Sequence, residues 1–239
     1  MTDQMVGATD NFKKSFPLLV KFLDCWVGKI KSQCSSDAQR RAAWYVWGRY
    51  SLSIHTVHKI CEPSYLPDLW LIGRSCLEHD AALQGIMASE KLANDFLGFE
   101  SKAKAYLGKI YDSLSKGANV KAIESAMKAI AGEQWRDHAK FKWCNITTIV
   151  KEYGGPEKGL LYAYWSHFTH CSILASLVLD RVGPTQRNLD MTIGTIYVGY
   201  TVATRKFLDF IWGTIVTSDS ERCKNTFKSV MAAGVGVDS

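Results

Sequence analysis

Two stretches of the chain carry polar residues at helical spacing within otherwise apolar sequence. Arg74 and Glu78 are four residues apart, so in a helix they share a face, whose other residues are small or apolar. Tyr162, Ser166 and His170 follow at intervals of four, which aligns two hydroxyls and an imidazole on a second helix. Because a buried charge needs a partner, we expect these helices to meet, with Glu78 orienting His170 and Arg74 placed where an anion binds.

Each set is equally compatible with a purely structural role. The charged pair on the first helix has the spacing of an internal ion pair that fixes helix packing. The polar line on the second helix has the spacing of a satisfied hydrogen-bond network that specifies a core without turnover. His79 falls on the apolar stripe with Cys76 and Leu83, where a catalytic imidazole is hard to expose.

A metal site is a further interpretation, suggested by His55-x-x-His58 and His167-x-x-His170 with Glu78 as a carboxylate ligand. Metal sites in helical bundles usually use several carboxylates, as Glu-x-x-His on paired helices, and this chain has no Glu-x-x-His. It also lacks a G-x-S-x-G elbow, a phosphate-binding glycine loop and a dinucleotide fingerprint. We therefore expect no metal and no cofactor.

The elements that position these residues are predicted to be helices throughout. The chain has 239 residues, 47% of them hydrophobic, with apolar positions spaced by three and four and no strand alternation. We predict one all-α domain over residues 1–239, a bundle of about eight or nine helices. The first is predicted to open at Ser15-Phe16-Pro17 and run to about Lys31, the second to be capped by Ser36 or Asp37, and the third to start at Pro67. The others are predicted at about 90–116, 119–132, 145–154, 156–182 and 189–216, and from a Ser218-x-x-Glu221 capping box to about 232.

Composition predicts a cytoplasmic protein with no membrane span. The seven Cys form no C-x-x-C pair, and the N-terminus lacks a secretion signal. Of the apolar stretches, 171–179 is too short for a bilayer and 193–216 carries Arg205, Lys206 and Asp209. The stretch from Asp10 to Arg49 contains eight basic residues and only three Asp. Such an excess of positive charge suits either an acidic partner such as RNA or a solvated helical face. The eight are Lys13, Lys14, Lys21, Lys29, Lys31, Arg40, Arg41 and Arg49.

The motif residues also carry a resemblance. Leu71-Ile-Gly-Arg74-Ser-Cys-Leu-Glu78-His79, followed by Tyr162-x-Tyr164-x-Ser166-x-x-x-His170, resembles a bacterial all-α family of unknown function with R-S-x-x-E and Y-x-x-x-S-x-x-x-H helices. The resemblance covers about residues 35–180 and leaves two C-terminal helices, about 189–232, outside it. That helical pattern is distantly similar to HEPN-type proteins, many of which are ribonucleases in toxin–antitoxin and phage-defence systems.

The resemblance implies a metal-independent site. HEPN nucleases carry an R-x4-6-H motif, and Arg74-x4-His79 has that spacing, although Ser75 replaces the usual Asn-like residue and the motif lies mid-chain. Arg74 would bind the scissile phosphate, and His79, or His170 supported by Glu78, would act as general base or acid. The predicted substrate-binding residues are Tyr162, Tyr164, Ser166 and His167.

Three hypotheses follow. The first is a metal-independent endoribonuclease-like effector of a bacterial stress or phage-defence system, a homodimer with an antitoxin or other defence-system partner. The second is a non-catalytic helical module that binds a nucleotide, RNA or a partner protein through the same polar groove. The third is a metal-dependent enzyme that uses the His-x-x-His pairs. The sequence prefers the first but leaves open whether the protein is catalytic, what its substrate is and how it is regulated.

Overall fold

The computed structural model describes residues 7–35, 37–97, 146–169, 183–213 and 217–235, together with residues 121, 125 and 181. The all-α prediction is confirmed, because these residues form eight main α-helices and one short 3-10 helix (Pro63–Tyr65), without a strand. The α-helices are α1 (Ala8–Cys34), α2 (Ala38–Lys59), α3 (Leu66–Ala88), α4 (Glu90–Leu97), α5 (Ile146–Tyr153), α6 (Gly155–Thr169), α7 (Gln186–Trp212) and α8 (Ser218–Val235). None of these described helices combines the length and apolar character needed to cross a membrane.

Helix α3 occupies the middle of the bundle. It packs against α2 and α7 on one part of its surface and against α5 and α6 on another, whereas α1 packs against α8, α7 and α2. Two buried indoles, those of Trp47 and Trp70, join the layers through hydrogen bonds from their N–H groups. Trp47 of α2 stacks on Phe207 of α7 and donates to Thr204 at 3.0 Å, and Trp70 of α3 donates to Thr192 at 3.1 Å.

Helix α1 begins well before the predicted start at Ser15-Phe16-Pro17. Its first turn is capped by Asp190 of α7, whose carboxylate accepts from the backbone N–H of Thr9 at 2.9 Å and of Gly7 at 3.4 Å. These bonds satisfy amide groups that a helix start leaves without partners. Pro17 therefore lies inside the helix, where its ring removes one backbone hydrogen bond.

Other helix ends follow local signals. Asp37 caps α2 as predicted, accepting from the Arg40 amide at 2.7 Å. The box that opens α8 lies between Thr217 and Ser220, each side chain accepting from the other residue's backbone amide, one position before the predicted Ser218–Glu221 box. The helix predicted at 119–132, and the predicted continuations beyond residues 97 and 169, lie outside the described residues.

Candidate functional site

Arg74, Glu78 and Tyr162 form a closed triangle of hydrogen bonds between α3 and α6. Arg74 Nε donates to Glu78 Oε1 at 3.2 Å, and Arg74 Nη2 donates to the Tyr162 hydroxyl oxygen at 3.1 Å. The Tyr162 hydroxyl in turn donates to the same Glu78 oxygen at 3.1 Å. Tyr162 is buried, whereas the side chains of Arg74 and Glu78 are 21% and 28% exposed. The triangle thus links the two helices at the edge of the core.

The local sequence explains why α6 approaches α3 closely enough for these hydrogen bonds to form. Gly73 has no side chain, and a Cβ at that position would lie 2.6 Å from the ring of Trp165, so the buried indole packs directly on the α3 backbone. Tyr162, one turn earlier on α6, then lies with its ring 5.1 Å from the Arg74 guanidinium carbon. The Glu78 carboxylate beside it offsets the positive charge of the guanidinium.

The other α6 residues predicted to belong to the site are not members of this triangle. The Ser166 hydroxyl donates to the Tyr162 backbone carbonyl at 2.6 Å, a bond within its own helix. Tyr164 packs its ring against Trp70 and Phe168 and is 39% exposed. His167 is exposed, and His170 lies outside the described residues.

His79 faces a different helix from Arg74. Five residues along a helix turn the side chain by about 140°, so the two point in different directions from α3. The imidazole stacks near Tyr50 of α2, with ring centroids 6.1 Å apart. Burial lowers the pKa of His79, against smaller opposing contributions from the Ser75 backbone and Glu78. Burial therefore disfavours the protonated imidazole, and the ring lies away from the Arg74 guanidinium.

The first His-x-x-His pair is packed against α1. The Nδ1 atom of His55 lies 2.9 Å from the Ser51 carbonyl oxygen, and the His58 ring stacks on Phe16 at 3.9 Å. Burial lowers the pKa of His58, with further contributions from His55 and Lys13. Among the described residues, no three His, Cys, Asp or Glu side chains are grouped so that they could hold a metal ion.

Asp80 is a buried charge that the sequence reasoning missed. It is 1% exposed, forms an ion pair with Lys158 of α6 and accepts from Gln84 Nε2 at 2.9 Å. The side-chain oxygen of Gln84, Oε1, accepts from the Lys206 ammonium of α7 at 3.0 Å. The chain of contacts thus links α6, α3 and α7. The signal was available, because Asp80 follows Cys76 by four residues on the buried stripe, and a carboxylate there requires a cationic partner.

A basic groove, defined by Lys21 and Lys29 of α1 and Arg222 of α8, runs between the two helices and encloses about 430 Å³. The Lys29 ammonium forms an ion pair with Asp219 at 2.8 Å and lies 5.2 Å from the centre of the Trp26 ring. The rest of the lining consists of Leu18, Phe22, Cys25, Trp26, Thr226 and Val230. Comparisons of the chain with protein-family models, curated proteins and solved structures each found no match.

Proposed function

We propose that this protein is a helical module that binds RNA along the basic groove between α1 and α8. The observation that carries the proposal is the convergence of Lys21, Lys29 and Arg222 from two helices on one groove. Phosphates attract such cations without regard to sequence, and they supply most of the affinity of non-specific nucleic-acid binding. The Asp219 carboxylate beside Lys29 offsets one of the three charges, which leaves the groove basic.

The dimensions of the groove suit a short stretch of single strand. Lys21 and Lys29 are eight residues apart, or about 12 Å along the helix axis, which equals three or four steps of a stacked strand at roughly 3.4 Å each. Apolar side chains of Leu18, Phe22 and Trp26 form part of the lining and offer bases a surface without sequence preference. Asp24 and Glu221 lie on the same helices but outside the groove lining.

The geometry around α3 favours binding over cleavage. A nuclease of the R-x4-6-H kind needs its arginine and histidine on one phosphodiester, whereas Arg74 contacts α6 and His79 packs near α2. The endoribonuclease mechanism stays a prediction that depends on His170 supported by Glu78. The predicted homodimer, the antitoxin or defence-system partner, and the role in stress or phage defence also stay predictions.

Salt dependence of RNA binding tests the proposal. We expect a fluorescently labelled 12-nucleotide single-stranded RNA to bind. The logarithm of the binding constant should fall linearly with the logarithm of the salt concentration, and the slope measures how many phosphates the protein neutralises. The double variant Lys21→Ala/Arg222→Ala should reduce that slope by about 1.4, since each cation on a single strand accounts for about 0.7. The matched control Lys59→Ala/Lys151→Ala removes the same charge from exposed positions on α2 and α5. Equal slopes for the two double variants, or no RNA binding, would contradict the proposal.

Cleavage is measured separately on the same complexes. The RNA is incubated with the wild-type protein and run on a denaturing gel, in parallel with folded Arg74→Ala and His170→Ala variants. Intact RNA in every lane supports a binding module. Cleavage by the wild-type protein that both variants lose would instead support the endoribonuclease, because it would place the chemistry on the predicted arginine and histidine.

A further inference from the structure

A second cavity, of about 450 Å³, lies between α3, α6 and α7, and its volume falls in the range of about 300–1,000 Å³ typical of small-molecule sites. Its wall is mainly apolar, with Leu77 of α3, Leu161 and Trp165 of α6, and Ile196 of α7 among its residues. Arg74, Glu78 and Tyr162 are not part of the wall, so the cavity is distinct from the hydrogen-bonded triangle.

The floor of the cavity holds a tyrosine whose hydroxyl has no hydrogen-bond partner among the described residues. Tyr50 of α2 lines the cavity and is 2% exposed, and its hydroxyl makes no hydrogen bond within the part of the chain that the structure describes. The other deeply buried tyrosines differ. Tyr197 accepts from Ser15 at 2.7 Å, and Tyr200 shares a hydrogen bond with Ser51 at 2.9 Å. Because no described residue accepts from or donates to the Tyr50 hydroxyl, it is available to donate to a ligand in the cavity.

Glycine keeps that hydroxyl accessible. Gly199 of α7 also lines the cavity, and a Cβ at this position would lie 3.2 Å from the Tyr50 hydroxyl oxygen. Any larger residue would occupy the space in front of the phenol. Burial raises the pKa of Tyr50 well above its ordinary value, so the hydroxyl stays protonated and able to donate.

The polar groups of the wall disfavour an anion. The Asp80 carboxylate is engaged by Lys158 and Gln84, and Glu157 adds a second carboxylate near this ion pair. Two carboxylates against one ammonium give the cavity a net negative charge. At its edge Val198 and Val202 are 58% and 45% exposed, which gives an apolar rim through which a ligand can enter.

We propose that this cavity binds a neutral, largely apolar small molecule whose hydrogen-bond acceptor is directed at the Tyr50 hydroxyl. The inference is independent of RNA binding, because it rests on a cavity walled by α3, α6 and α7 instead of the groove between α1 and α8.

The test is a fluorescence titration of the full chain with Nile red, a neutral and largely apolar dye that carries a carbonyl acceptor. We expect saturable binding that Val202→Trp, which places an indole at the rim, weakens at least about tenfold. Tyr50→Phe keeps the ring and removes the donor, and should weaken binding about fivefold, which is the usual scale for one hydrogen bond. Leu52→Trp is the matched control, since it adds an indole at a 61% exposed position of α2 outside the cavity.

Specific outcomes would overturn the inference. If Val202→Trp and Leu52→Trp have the same effect, or neither has any, the dye binds elsewhere and the cavity is not its site. The anionic dye 1-anilinonaphthalene-8-sulfonate should bind at least about tenfold more weakly than Nile red; equal or tighter binding that Val202→Trp blocks would refute the neutral class. Thermal unfolding of each variant is recorded, and the rim variant decides the outcome if Tyr50→Phe does not fold.

Discussion

At the scale of single residues, the Arg74–Glu78–Tyr162 triangle is a shared hydrogen-bond system. The phenol accepts from the guanidinium and donates to the carboxylate, so each of the three side chains contacts both others. Because both charged side chains are partly exposed, water screens their ion pair and its contribution to stability is modest. The buried phenol has less access to water, so its hydroxyl is the informative atom to remove.

Tyr162→Phe is therefore expected to lower the free energy of unfolding by about 1 kcal/mol, because it removes two hydrogen bonds and keeps the ring. Urea unfolding followed by circular dichroism measures the change. Tyr164→Phe on the same helix is the control, since its 39% exposed phenol is outside the triangle, and we expect a change within about 0.5 kcal/mol. Equal losses in the two variants would show that the triangle contributes nothing measurable.

The sequence predicted part of this site for a definite reason. A spacing of four places Arg74 and Glu78 on one face of α3, and the need of a buried charge for a partner predicted that this face meets the polar line of α6 that begins at Tyr162. Spacing alone could not predict which polar side chains of α6 would form hydrogen bonds with α3. Ser166 instead uses the backbone of its own helix, an option open to any serine inside a helix.

At the scale of elements, the central position of α3 depends on glycine. Gly73 accepts the Trp165 ring of α6. Gly85 accepts the side chains of Leu92 and Tyr153, whose nearest atoms would lie 2.7 Å and 3.0 Å from an added Cβ. In an isolated helix both glycines would only weaken the element. Here they allow the close approach of neighbouring segments.

Two glycine-to-alanine substitutions separate these effects. Gly28→Ala on α1, where no atom lies within 4 Å of the added Cβ, is expected to stabilise the protein by up to about 1 kcal/mol through helix propensity. Gly73→Ala gains the same propensity but forces the buried Trp165 ring to move, and we expect a net loss of about 1–2 kcal/mol. Chemical denaturation of both variants gives the comparison. A gain in stability for Gly73→Ala would contradict the close packing.

The success of helix prediction differed between elements because their caps differ. Asp37 caps α2 from the adjacent position, so its signal is present in the local sequence. The cap of α1 comes from Asp190, 181 positions from Thr9, and no local pattern could indicate it. Without that cap Pro17 was the strongest start signal in the region, which placed the predicted start too late.

At the scale of the whole molecule, Asp190 joins the beginning of α1 to α7. Burial by itself raises the pKa of this carboxyl, but the hydrogen bonds from Thr9, Gly7 and Gln186 outweigh burial and leave the pKa below its usual value. A carboxyl with a lowered pKa stabilises the fold fully above its unfolded pKa of about 3.9. The stabilisation is lost as the pH falls through the lower, folded value.

Asp190→Asn is expected to reduce the free energy of unfolding by about 1–2 kcal/mol at pH 7, because a neutral amide caps the first turn less well than a carboxylate. Protonation of the wild-type carboxyl removes the same advantage, so the difference between the two proteins should shrink between about pH 4 and pH 3. Urea titrations at pH 7, 4 and 3 measure it. A difference that stays constant with pH would show that the charge of Asp190 is not what stabilises α1.

The long reach of the Asp190 cap has a consequence for how the protein is made. A ribosome synthesises α1 before α7, and the carboxylate that completes the first turn of α1 lies 181 positions after Thr9. The helices against which α1 packs, apart from α2, are α7 and α8, which are later still. During synthesis the surface of α1 that packs against α7 and α8 therefore stays uncovered by them until both helices have been made. The first turn of α1 is therefore completed only after α7 has been synthesised.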